Sequence, residues 1–297
     1  MEFLAPAKVN LSLRVLRRRE DGFHEIESLM CPVSIFDTLD ISLREEAGLE
    51  FVCDDASLPT DDNNLVVRAA KRFCAEHGVE PNLRIALTKR IPHGAGLGGG
   101  SSDAATTLIA LDRLFDTQLS REVLAAMAAD LGSDIPFFIY QSAAIIRGRG
   151  EHVEPVAFPH ALPLLLIKPP FGVPTPWAYQ RWKDSREIPG VRYAAQEMEW
   201  GTLVNDLERP VFEKYIFLAD VKTWLLEQPG VAGSIMSGSG ATIFSVLRSK
   251  EHAATLIDRV TAEFGKNLWC CACETVRQNN SIIGTPSVSA IGRPSED

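Results

Sequence analysis

Five of the seven residues from 94 to 100 are glycine, and the segment runs directly into Ser101-Ser102-Asp103. The whole chain holds 21 glycines in 297 residues, so chance supplies roughly half a glycine in such a window. Glycine costs backbone entropy and adds nothing to packing. This density therefore marks either a hinge or a loop whose backbone must come close to a ligand. Residues from about 101 to 115 read as a helix. Free N–H groups and the positive end of the helix dipole converge at its start, an arrangement that suits an anion. The two serine hydroxyls add donors. The loop is not a Walker A motif, because no Gly-Lys-Ser/Thr occurs. Gly94, Gly96 and Gly99 formally meet the dinucleotide fingerprint. That motif needs a return to a strand ending in an acidic residue about 20 positions on, whereas here Ser120 opens a second helix.

Residues 7–15 alternate strictly: Ala7, Val9, Leu11, Leu13 and Val15 are apolar, while Lys8, Asn10, Ser12 and Arg14 are polar. Period two predicts a strand with one buried face. It also sets Lys8 and Asn10 on one face, about 6–7 Å apart. Strand-like segments follow at 29–43, 49–53 and 83–90. Helices are expected over 65–76, ending at Gly78, and from Ser120 to Asp130, ending before Gly132. Pro136–Ile139 and Ala143–Arg147 read as short strands. Prolines cluster from 155 to 176, and a domain boundary is placed there, with residues 1–158 and 159–276 as two units. The second unit reads as strand 164–168, helices near 176–183, 203–208 and 217–228, strands 231–236 and 241–247, helix 250–264 and strand 267–273. Strands mixed with helices in both halves predict an α+β class. Residues 277–297 are rich in Asn, Ser, Gly and Pro and are expected to form a loose tail.

Hydrophobic residues make up 45% and charged residues 23%, as in soluble globular chains. The 30 Lys and Arg set against 39 Asp and Glu give a net charge of −9, a poor match for nucleic acid or an anionic membrane. No run of about 18 apolar residues predicts a membrane span. The N-terminus lacks the order of a secretory signal. The six cysteines form no disulfide framework, so a reducing, cytoplasmic setting is expected. Cys270 and Cys273 make a C-x-x-C without a second ligand pair, so apolar filling of a strand is preferred over zinc. No dedicated metal site is expected. The oligomeric state cannot be read.

Three blocks in order resemble the GHMP kinases, the family of galactokinase, homoserine kinase and mevalonate kinase. They are Pro6-Ala7-Lys8-Val9-Asn10-Leu11, Gly94 to Ser102, and Met236-Ser237-Gly238-Ser239-Gly240-Ala241. Residues 19–25 (Arg-Glu-Asp-Gly-Phe-His-Glu), Asn63-Asn64-Leu65-Val66, Leu131 to Phe137 and Pro174-Thr175-Pro176 narrow the likeness. They are similar to members that phosphorylate the 2-hydroxyl of a CDP-linked methylerythritol in the non-mevalonate route to isoprenoids. The resemblance implies an N-terminal domain like ribosomal protein S5 domain 2 and a ferredoxin-like C-terminal domain. It also implies ATP as co-substrate, Mg²⁺ with it, and a small-molecule alcohol as acceptor.

The resemblance further implies roles for particular residues. Asp134 is the catalytic aspartate and Lys8 the catalytic lysine, the alternative being a structural ion pair between them. Asn64, Leu65, Pro92, Gly94, Ala95, Gly96, Leu97, Gly98, Gly99, Gly100, Ser101 and Ser102 are expected around ATP. Asn64 and Leu65 read equally well as a helix cap and its first apolar residue. Ser102 is a candidate oxygen for Mg²⁺. Asn10, Phe23, His24, Thr175 and Tyr179 are expected around the acceptor, with cytosine between Phe23 and Tyr179. His24 alone reads as a turn histidine, and Phe171 and Trp177 compete with Tyr179. Gly238-Ser239-Gly240 is either a plain hairpin or a turn placed against the glycine loop. Rival readings are a homoserine- or mevalonate-type kinase, a non-catalytic ligand-binding relative and a nicotinamide-dependent dehydrogenase. The last rests on the glycine match alone.

Overall fold

The structure, a computed structural model, describes residues 1–276. The expected loose tail, 277–297, lies outside the described residues. Two sheets organise the chain. The first begins with a long antiparallel pair, β1 (Glu2–Arg18) and β2 (His24–Leu43). β4 (Leu83–Thr88) and β3 (Leu49–Cys53) extend it on one side. β5 (Ala144–Gly148) also pairs with β2, and β6 (His152–Pro155) pairs with β5. The helices α1 (Leu65–His77), α2 (Gly99–Leu114), α3 (Arg121–Leu131) and α4 (Ile135–Tyr140) bury their apolar faces in the same core as this sheet.

The second sheet is antiparallel in the order β10 (Val231–Met236), β11 (Ile243–Leu247), β7 (Pro163–Lys168), β12 (Trp269–Glu274). Helices α5 (Thr175–Arg181), α6 (Glu208–Lys214) and α7 (Ile216–Leu226) come between β7 and β10, and α8 (His252–Phe264) between β11 and β12. This strand–helix–strand–strand–helix–strand order is the ferredoxin-like plan. Between β7 and α6 the chain also forms β8 (Gln196–Met198) and β9 (Gly201–Asn205), and β9 runs parallel to β1. We propose the boundary at 158/159 because β7 opens the second sheet; β8 and β9 are then the second unit's contribution to the first sheet.

Register shifts in β1 explain how one strand serves several layers. Phe3 and Ala5 lie in the core with α1 and α2, whereas Ala7, Val9 and Leu11 pack on Leu164, Leu166 and Phe244 of the second sheet. A shift between Pro6 and Ala7 lies between the two sets. A bulge of this kind moves the following residues to the opposite face. Lys8 and Asn10 are thereby carried to the side of the helices, where both are buried.

Two expected elements differ. Pro136–Ile139 is helical rather than extended: Pro136 sits in the first turn of α4, and Ile135, Phe137, Phe138 and Ile139 are all buried. A short run that is apolar on every side carries no period that separates strand from helix, and proline fits a first helical turn, where its missing N–H has no partner to lose. The helix expected over 203–208 is strand β9 up to Asn205, and α6 begins only at Glu208. Leu203 and Val204 are another brief apolar run, and tertiary pairing with β1 decided its state.

Glu208 and Lys222 form a buried ion pair inside the second unit, each about 1% exposed, with Nζ to Oε2 at 2.5 Å. Lys222 also donates to the Arg192 carbonyl at 2.6 Å, and Glu208 accepts the Met236 N–H at 2.9 Å. Removing one member strands a charge, which costs about 3–5 kcal/mol. Lys222→Met is expected to lower the unfolding free energy by that amount in urea titration. A loss below about 1 kcal/mol would contradict the assignment.

Candidate active site

The glycine-rich segment links β4 to α2. Gly94, Gly96 and Gly98 have φ of 62°, 75° and 72°. Gly96 is fixed by close approach: a Cβ there would lie 2.3 Å from the Ser237 carbonyl oxygen and 2.9 Å from that of Gly240. Gly98 is the N-cap of α2, so no side chain caps the helix start. The first N–H groups of the helix stay available to an outside acceptor. The first intrahelical bond runs from Ser102 N–H to the Gly98 carbonyl at 2.9 Å.

The turn 237–240 docks on this loop. Ser237 Oγ donates to the Gly96 carbonyl at 2.9 Å, and Thr242 N–H donates to the Ala95 carbonyl at 3.1 Å. Asn205 holds the turn from behind, its amide nitrogen 2.7 Å from both the Met236 and Gly238 carbonyls. Gly238 (φ 56°) comes so near the site that a Cβ would lie 3.2 Å from Asn10 Oδ1 and 3.3 Å from Lys8 Nζ. The two glycine turns thus enclose one cavity of about 830 Å³.

Lys8 stands at its floor. Its ammonium donates to Asn10 Oδ1 at 2.7 Å and to the Gly96 carbonyl at 3.0 Å, and lies 3.8 Å from Asp134 Oδ2. Burial pulls the Lys8 pKa below the ordinary lysine range, and the Asp134 carboxylate opposes that fall. Asn10 is held in turn by Ser28, whose hydroxyl accepts from Nδ2 at 2.8 Å and donates to the Ser12 carbonyl at 2.6 Å. Asp134 occupies the N-cap position of α4 without capping it. Its side chain is 41% exposed, against 4% for Lys8. A carboxylate that is half in water, beside a buried cation and below an uncapped helix start, suits proton removal from a hydroxyl during phosphoryl transfer.

Other expected residues fall into place unevenly. Pro92, Gly94, Ala95, Gly96, Gly98, Gly99, Gly100, Ser101, Asn64 and Leu65 line the cavity, as do Phe23, His24, Thr175 and Tyr179. Leu97 and Ser102 do not; both are buried. Leu97 contributes its carbonyl, which accepts the Lys8 backbone N–H at 2.9 Å. Asn64 is a cap as well as a cavity residue: its Oδ1 accepts the Val66 N–H at 2.9 Å. Thr175 is bonded to Ser239 across the cleft, hydroxyl to hydroxyl at 2.7 Å. One face of the Tyr179 ring is covered by the His24 ring, with centroids 5.5 Å apart and planes 28° apart. Burial and Arg18 lower the His24 pKa, so the ring is neutral near pH 7. Phe23 stands more exposed, with the Arg149 guanidinium over its ring at 5.1 Å.

Sequence reasoning missed Lys89, Asp103 and Arg149, which also line the cavity. Lys89 bridges Asp37 and Asp103, the latter at 2.7 Å. Asp37, on β2, also accepts the Ile91 N–H at 2.8 Å, while the Lys89–Asp103 contact ties the segment after β4 to α2. Burial pushes the Asp103 carboxyl above the usual carboxylate range against the pull of Lys89. Asp103 directly follows the glycine-serine run, but nothing in local spacing pairs it with residue 89 or 37.

Residues 64–142 match the GHMP kinases N-terminal domain and residues 192–267 the GHMP kinases C-terminal domain. A protein of Methylacidiphilum infernorum named 4-diphosphocytidyl-2-C-methyl-D-erythritol kinase is 42% identical over 279 residues, spanning 92% of this chain and 96% of the relative. A crystal structure of a 4-(cytidine 5'-diphospho)-2C-methyl-D-erythritol kinase superposes with a TM-score of 0.77 at 37% identity, covering 93% of this chain and 100% of that one. A mevalonate kinase structure shares the fold at 12% identity, with a TM-score of 0.71 and coverage of 94% and 100%. No helix among the described residues is long and apolar enough to cross a membrane. On the two domain matches and these relatives over most of its length, the chain belongs to the GHMP kinases.

Proposed function

We propose that this kinase transfers the γ-phosphoryl group of ATP to the 2-hydroxyl of 4-diphosphocytidyl-2-C-methyl-D-erythritol, a step of the non-mevalonate route to isoprenoid precursors. The observation that carries this reading is the Lys8–Asp134 pair at 3.8 Å, set in one cavity between the start of α2 and the aromatic group Phe23, His24 and Tyr179. The likeness to relatives bearing that enzyme name supports the choice of acceptor.

ATP phosphates meet the free N–H groups at the start of α2, and Asn64 and Leu65 border the nucleoside. Asn10 and Lys8 hold the acceptor hydroxyl against Asp134, which accepts its proton as the oxygen attacks the γ-phosphorus. Lys8 offsets the negative charge that develops on the transferred group. His24, neutral and stacked on Tyr179, hydrogen-bonds the base, and Phe23 covers a ring face. Thr175 fixes the opposite wall through Ser239. No group of three or more His, Cys, Asp or Glu side chains among the described residues is arranged to hold a metal. The Ser102 hydroxyl in the first turn of α2 is buried and unpartnered but does not line the cavity, so Mg²⁺ would be carried chiefly by ATP oxygens. The ion would neutralise phosphate charge. Activity is expected in the cytoplasm, without nucleic acid or membrane partners.

Coupled ATP turnover tests the acceptor: the CDP-linked alcohol is expected to be used, with mevalonate, homoserine and galactose slower by at least about a hundredfold. A better rate with any of these three would overturn the assignment. Asp134→Asn is expected to cut kcat by about 10²–10⁴ while ATP and acceptor bind within about tenfold of the parent. Near-parent turnover would remove Asp134 from the chemistry.

Gly98→Val and Gly99→Val, natural first choices for blocking the phosphate site, confound binding with packing. A Cβ at 98 would lie 2.8 Å from the Phe138 ring, and one at 99 would lie 3.0 Å from Ile91. Gly100 has room, with its nearest neighbour Leu65 at 3.8 Å. Gly100→Val is therefore expected to abolish ATP binding in calorimetry while the thermal midpoint stays within a few degrees. Normal ATP binding would move the phosphate site elsewhere. His24→Ala is expected to lower kcat/KM for the CDP-linked alcohol by about tenfold or more and leave the ATP KM unchanged; equal damage to both would make residue 24 structural.

A further inference from the structure

Three Lys or Arg side chains line the cavity, and two of them are already matched by carboxylates. Lys8 has Asp134, and Lys89 has Asp37 and Asp103. Arg149 has no carboxylate partner among the described residues; its guanidinium rests on the Phe23 ring at 5.1 Å. The acidic neighbour on the same rim, Asp21, is taken by Arg19 at 2.9 Å. A half-buried, unpaired guanidinium facing a cavity invites an anion, because its fork of donors matches phosphate oxygens in pairs.

Its backbone is anchored beside the reacting end. Arg149 lies between Gly148 (φ 74°) and Gly150 (φ 129°), in the turn from β5 to β6. A Cβ on Gly150 would lie 3.0 Å from Ser133 Cβ and 3.1 Å from its carbonyl oxygen, so the turn abuts the residue preceding Asp134. Glu151 fixes the turn from the other side by accepting the Arg149 N–H at 2.6 Å. The root of the side chain is therefore next to Ser133-Asp134, while its head is on Phe23. It spans the interval between the hydroxyl end and the base end of the cleft.

We propose that Arg149 binds the diphosphate bridge of the acceptor and makes the enzyme select alcohols that carry such a bridge over uncharged ones. This rests on the function proposed above, in which the acceptor joins a cytidine to the reacting alcohol through that bridge. Phe23 then acts twice, as a ring face for the base and as the platform that holds the guanidinium in place.

Competition binding to the full chain with cytidine and CDP as probes tests this. The parent protein is expected to bind CDP more tightly than cytidine. Arg149→Gln is expected to weaken CDP by about ten- to a hundredfold and cytidine by less than about threefold, and Arg149→Lys to restore part of the loss. Retained cytidine binding reports that the variant is folded. Unchanged CDP affinity, or equal losses for both ligands, would overturn the proposal; equal losses would make Arg149 a brace for Phe23 alone. A parent protein that binds neither probe would overturn the underlying acceptor assignment, and the Arg149 role with it.

Discussion

A lysine ammonium taken out of water has to be surrounded, and much of this fold surrounds the one at position 8. Its partners come from three parts of the chain: Asn10 on the same strand, the Gly96 carbonyl in the glycine loop and Asp134 at the start of α4. Burial weakens its hold on the proton, and Asp134 strengthens it. The balance leaves a cation that is not neutralised locally by a fully engaged carboxylate, since Asp134 keeps much of its surface in the cleft. Such a charge destabilises an empty pocket and favours an occupied one. That is the condition for catalysis by electrostatic preorganisation, where the donors are fixed before the reaction develops charge.

The second constraint is closeness of backbone to backbone. Gly96 and Gly238 are where the loop of the first unit and the turn of the second meet; a side chain at Gly96 would overlap the turn's carbonyls, and one at Gly238 would press on Asn10 and Lys8. The apolar face of β1 packs on the second sheet through Ala7, Val9 and Leu11, so the strand that carries Lys8 is also the strand that joins the two layers. Geometry at the reacting centre is therefore set by the interface between sheets and not by one loop. β9 strengthens the link, since it pairs with β1 and ends at Asn205, whose amide holds the second turn.

Elements with a strong period were legible in the sequence. The alternation at 7–15, the capped helices at 65–77 and 121–131, and the loop-to-helix passage at 98–99 are set by local chemistry and appear nearly as expected. Short runs without a readable period were not, because 135–140 and 201–205 owe their state to neighbours far along the chain. The site shows the same division. Lys8 and Asn10 share a face by arithmetic, and the glycine loop marks itself by composition. The β1 bulge that points both inward, the Lys89 bridge to Asp37 and Asp103, and the unpaired Arg149 depend on tertiary placement that no spacing encodes. His24 could be assigned to the cleft, but not its stack on Tyr179.

The account stands on Lys8 serving chemistry more than fold, and Lys8→Met separates the two. Asp134 is 41% exposed, so removing the ammonium leaves its carboxylate in water and strands no buried charge, unlike Glu208 in the other pair. The account predicts that kcat falls by about 10²–10³ while urea unfolding stays within about 2 kcal/mol of the parent. A variant that loses about 3–5 kcal/mol of stability, yet turns over near the parent rate in its folded fraction, would contradict it.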